Sequence, residues 1–117
     1  MKRDMELIRL LLIQQEVGTP LELAAYPVEE QLYNLQLMAD ANLIIARFDT
    51  GNNGEVIFAS TKRLTWAGHD FLDSTRDSKI WNKAKEQVLK SGASWTFDIL
   101  KEWVKYELKQ KLGLPQQ

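Results

Sequence analysis

Three groups of side chains in this 117-residue sequence have the type and spacing to do chemistry or recognition. Lys101, Lys105 and Lys109 recur every fourth residue, which lines them up on one side of a helix. Lys79 and Lys83 repeat that spacing upstream, so either stripe can grip phosphates or an acidic partner; the plain alternative is a solvated face, with Asp98 and Glu102 nearby. Gln31, Asn34 and Gln36 are amide side chains of the kind that read base edges or contact a partner protein. Trp95, between Ser94 and Thr96, is the tryptophan expected at a surface, where such a ring can anchor an interface.

Catalytic chemistry finds no comparable support. His69 is the lone histidine, and with Asp70 or Asp73 it makes an unspecific metal match. No nucleophile has a base at a telling distance. Gly51 and Gly54 are spaced as turn residues, without the lysine of a phosphate-cradling loop. The expectation is a protein with no catalytic residues, no metal and no cofactor.

Charge adds an asymmetry. Residues 1–60 hold four basic and nine acidic residues, whereas residues 61–117 hold eleven basic and seven acidic ones. A polyanion-binding face is one reading of that split, and mutual complementation inside one small domain is the other. No run of about 18 apolar residues is present, so no membrane span is expected. The absence of cysteine excludes a disulfide scaffold and any thiolate metal site. The acids at Asp4 and Glu6 argue against a signal peptide, which leaves a cytoplasmic location as the expectation.

The elements that must position these residues follow from periodicity. A first helix spans Arg3 to Glu16, with Asp4 and Glu6 in its first turn and Leu7, Ile8, Leu11 and Leu12 as its core stripe. Gly18 and Pro20 end it, and Leu21 to Tyr26 reads as a short extended piece. Pro27 opens a second helix that buries Val28, Leu32, Leu35, Met38 and Ala39. Asn42 suits a left-handed cap after it. Leu43–Phe48 and Glu55–Ala59 form a β-hairpin around a turn rich in glycine and asparagine. Thr65 caps a third helix reaching Arg76, in which Gly68 costs up to about 1 kcal/mol unless another backbone comes close there. Ser78 caps a fourth helix to Lys90, burying Ile80, Trp81, Ala84, Val88 and Leu89. Ser94–Leu112 makes the last, with Phe97, Leu100, Trp103, Val104 and Leu108 inward.

The order is that of an α+β, mainly helical chain: a winged-helix-like core (helix, helix, β-hairpin, helix) over residues 1–77, and two further helices over 78–117. One domain accommodates both parts.

The opening Met1-Lys2-Arg3-Asp4-Met5-Glu6-Leu7-Ile8-Arg9 resembles the start of domain-of-unknown-function family 2513. So do Leu64-Thr65-Trp66-Ala67-Gly68-His69-Asp70-Phe71-Leu72, Arg76-Asp77 and Ile80-Trp81-Asn82-Lys83, and the resemblance covers most of the chain. Asn42 departs from the glycine that the family tends to place before the strand, with the same cap chemistry. The resemblance implies small bacterial proteins often carried by phages and prophages, and no activity.

Two functions fit. The first is a regulatory or protein-interaction accessory factor, partnered by another protein or by itself as a homodimer. The alternative is a DNA-binding transcriptional regulator. Against the alternative, the second helix carries Glu29, Glu30 and Asp40 and no basic residue, so carboxylates would face phosphates.

Overall fold

A computed structural model of the chain describes residues 1–91 and 97–113, without the side chains of 89, 91 and 97–101. The chain divides into two compact units, Met1–Leu72 and Asp73–Gln117. It is α+β and mainly helical: two helices, a two-stranded antiparallel hairpin, then three more helices.

In the first unit, helix α1 runs Met5–Val17. Asp4 stands just outside it as the N-cap, accepting the Leu7 N–H at 3.1 Å, and so is not a first-turn residue. Leu7 through Leu12 are all buried, Arg9 and Leu10 included, so α1 is covered nearly all round and its predicted stripe is too narrow. It contacts α2 (Val28–Asp40) and strand β2 (Val56–Leu64). Between α1 and α2 the chain forms a 3-10 helix, Leu21–Ala25, where an extended piece was expected. The weak alternation there has one apolar anchor, Leu23, which is buried.

Helix α2 ends as its sequence predicts. Asn42 takes φ 61°, its N–H donates to the Ala39 carbonyl, and the Leu43 N–H donates to that of Met38. These two bonds close a Schellman turn that aims the chain straight into strand β1, Ile44–Thr50. Ile44 pairs with Leu64 and Phe48 with Ala59, so β2 extends five residues beyond its predicted end. Inward residues Ile44 and Leu64 join Met38, Leu43, Phe71 and the α1 leucines in the core.

Helix α3 covers Trp66–Thr75. Thr65 caps it as expected, its Oγ1 accepting the Gly68 N–H at 3.0 Å. The same hydroxyl donates to the Asn42 carbonyl at 2.5 Å, tying the start of α3 to the end of α2.

In the second unit, α4 (Ser78–Ser91) packs along α5 (Phe97–Leu112). Its cap is Asp77 rather than Ser78: one carboxylate oxygen accepts the Lys79 and Ile80 N–H groups at 2.8 and 3.2 Å. Ile80, Trp81, Ala84 and Val88 form the buried stripe, with Val104 buried on α5. The expected inward positions Trp103 and Leu108 are half-buried. Residues 94–96, expected to begin the last helix, lie outside the described residues, as do the side chains of Leu89, Phe97 and Leu100.

Candidate interaction surface

The amide residues of α2 sit where the helix is turned inward. Asn34 is 1% exposed. Its Oδ1 accepts the Asp4 N–H at 2.9 Å, and its Nδ2 donates to the Glu30 carbonyl at 2.9 Å and the Lys2 carbonyl at 3.5 Å. A buried amide with its donors and acceptor engaged has no group left to offer a base. The Gln31 amide nitrogen is also committed, donating to the Leu23 and Tyr26 carbonyls at 3.2 and 3.0 Å. It thereby holds the 3-10 helix against α2. Gln36, half-buried, donates within its own helix to the Leu32 carbonyl at 3.3 Å. Their residue types suit recognition, yet in the structure all three amides make internal hydrogen bonds.

The apolar face assigned to α2 shifts with them. Asn34 and Met38 are its buried residues, Leu32 and Leu35 are half-buried, and Val28 is exposed. The Asn34 amide lies on this inward side, where it meets the backbone of the N-terminal segment.

Among the described residues Trp66 is the most exposed aromatic, at 84%. Trp95 lies outside the described residues. Spacing holds a signal for Trp66 that the sequence reading missed. Gly68, Phe71, Leu72 and Thr75 form a complete buried stripe at i, i+3, i+4 and i+7, and Trp66 falls off it. Along the hairpin, Ile45, Arg47 and Asp49 alternate on the open face, opposite Arg63, Ser60 and Phe58. Ile45 and Phe58 are exposed there, Ile57 is exposed at the neighbouring bulge, and Arg47 pairs with Asp49 at 3.4 Å. A second exposed apolar group, Leu21 and Val28, flanks Glu22 and Glu29.

Acidity concentrates at that second group. No lysine or arginine occurs between Arg9 and Arg47. Tyr26 registers the local field: its hydroxyl pKa is raised, first by burial and then by the Asp4, Glu6 and Glu30 carboxylates.

The lysine candidates are distributed over the second unit. Lys79 and Lys83 line a cavity of about 320 Å3 with Lys111, Asp77 and Glu107. Lys83 lies 4.0 Å from Glu107, and Lys111 donates to the Asp77 carboxylate. On α5, Lys105 pairs with Glu102 at 3.8 Å and Lys109 is half-buried. The Lys101 side chain is outside the described residues. The cations near this cavity thus face carboxylates of their own unit, which lowers the net field available to an anion.

His69 stands 4.0 Å from Glu16, and Asp73 pairs with Arg76 at 2.7 Å. Among the described residues, no three potential metal ligands gather, and no helix is long and apolar enough to cross a membrane.

Residues 2–94 match the family model described as "Hypothetical protein (DUF2513)". The chain is also similar to a protein of Haemophilus influenzae described as an uncharacterized protein, at 28% identity over 97% of this chain and 100% of that one. No solved structure matches.

Proposed function

We propose that this chain, which belongs to the DUF2513 family, is a winged-helix-like accessory or regulatory protein of phage or prophage type that works by binding protein and carries no catalysis. One observation carries the reading. On α2, Asn34 spends its whole amide and Gln31 its amide nitrogen on the fold, while Trp66 and the hairpin's Phe58 stand in solvent. Tryptophan is among the residues enriched at the energetic anchors of protein interfaces. Helix α2 is also acidic in its first turn and has no basic residue, so phosphate backbones meet repulsion there.

The second reading, a DNA-binding regulator, is favoured by the cationic α4 and α5. Titration of labelled duplex DNA at low salt and at about 0.15 M salt separates the two. Absence of binding at low salt supports the protein-interaction reading. Salt-sensitive binding that a Lys101→Ala, Lys105→Ala, Lys109→Ala variant loses overturns it.

A further inference from the structure

The first unit carries two exposed apolar groups with opposite charge around them. One lies at the base of the hairpin. Ile45 and Trp66 are exposed there beside exposed Lys62 and Arg63, while the nearby Arg47 is paired with Asp49. The other lies where the 3-10 helix meets α2: Leu21 is 90% and Val28 66% exposed, beside exposed Glu22 and Glu29.

Large aliphatic and aromatic side chains left this open are costly to hydrate, and a unit that shows two of them invites a cover. Charge selects the cover. The hairpin group suits a surface that is apolar and anionic, and the group at the start of α2 is such a surface. We infer that the partner is a second copy of this chain, the hairpin base of one copy seating on the 3-10 helix and α2 start of the next. This deepens the protein-interaction reading and rests on it. Burial of Trp66, Ile45, Leu21 and Val28 supplies the attraction. The opposed charges set the register and exclude the like-charged pairings. Two copies that exchange both contacts about a twofold axis close as a dimer, and a contact that does not close runs on as a chain.

Light scattering during size exclusion, over protein concentrations up to about 0.5 mM and at about 0.05 M and 0.5 M salt, reads the association. Self-association that weakens at high salt is expected. Two double variants reverse the charges: Lys62→Glu with Arg63→Glu, and Glu22→Lys with Glu29→Lys. These four side chains are exposed, so circular dichroism should show both variants folded. Each alone should associate at least about tenfold more weakly than the natural sequence, because like charges then face each other. Mixed together, the two variants should bind each other and regain the lost association, since each reversed surface now meets its opposite. Trp66→Ala should weaken association without changing the charge pattern.

A natural chain that stays monomeric in low salt overturns the inference. So does an oligomer indifferent to both reversals, or a mixture that fails to regain association. The DNA titration keeps the two levels apart. A monomer that ignores DNA sinks self-association and leaves the wider reading standing, whereas DNA binding sinks the wider reading first.

Discussion

Gly68, in the first turn of α3, lies against the backbone carbonyl of Leu43, and a β-carbon built on Gly68 would overlap that oxygen. The same imaginary carbon would sit 3.1 Å from the Leu43 carbonyl carbon and 3.4 Å from Leu64 Cβ. The close approach has a reason. The Thr65 N–H donates to the Leu43 carbonyl at 2.9 Å, and its hydroxyl donates to that of Asn42. The start of α3 is therefore laced onto the segment between α2 and β1, and only a residue without a side chain leaves room.

Gly68→Ala follows directly. Helix propensity alone would make alanine the better residue by about 1 kcal/mol. Overlap with backbone, which cannot swing aside, should outweigh that and leave a net loss of about 2 kcal/mol. Urea unfolding measures it, and a more stable variant would refute the close approach.

Thr65→Ala removes the cap and the tie to Asn42 together. A loss of about 1–2 kcal/mol is expected from the cap. Thr65→Ser keeps the hydroxyl and should recover most of it. If serine is no better than alanine in a thermal melt, the hydroxyl is not what holds α3.

Asn34→Ala should cost about 1–3 kcal/mol, because it strips the acceptor from the Asp4 N–H and leaves a gap between α2 and the N-terminal segment. Gln36→Ala, on the same helix, should change stability by no more than about 0.5 kcal/mol. Equal effects from the two in denaturant titrations would contradict the inward turn of Asn34.

The two tryptophans of the described helices α3 and α4 should separate cleanly. Trp81 is 1% exposed, and Trp81→Ala should cost about 3–5 kcal/mol. Trp66→Ala should stay within about 0.5 kcal/mol in the same melt, since its ring touches mainly water.

Asp77 predicts a pH dependence in the second unit. Its carboxyl pKa is lowered, first by the hydrogen bond from Lys111 and then by the backbone N–H of Ile80. A folded pKa below the unfolded value of 3.8 means that the stabilisation is whole above that pH and is lost as pH falls through the folded value. Acid titration of the α4 and α5 helicity by circular dichroism should show this loss. Asp77→Asn, which keeps a cap but abolishes the charge, should flatten it.

Much of this architecture is local and so was legible in the sequence. Helical periodicity located the cores of α1 and α4, because a stripe every three to four residues needs no knowledge of the partner. Asn42 announced a left-handed turn and Thr65 an N-cap, since both act on backbone groups within a few residues. Even Gly68 was readable as a conditional statement, that some backbone must come close. Where two capping types stand side by side, residue type alone does not choose between them. Asp77 and Ser78 are both capping types; Asp77 caps α4, and its other carboxylate oxygen accepts from Lys111 on α5.

What the tertiary structure alone decided is which way each face points and what its polar groups are used for. Asn34 looks like a recognition residue until its amide is seen meeting the Asp4 N–H, 30 residues away in sequence. With Asn34 inward, Val28 and the acids Glu29 and Glu30 stand exposed. Residue types determined that this chain would make helices, a hairpin and caps, because those follow from side-chain shape and near neighbours. The surface left for a partner depends on long-range hydrogen bonds that compete for the same side chains, and only the folded chain resolves that competition.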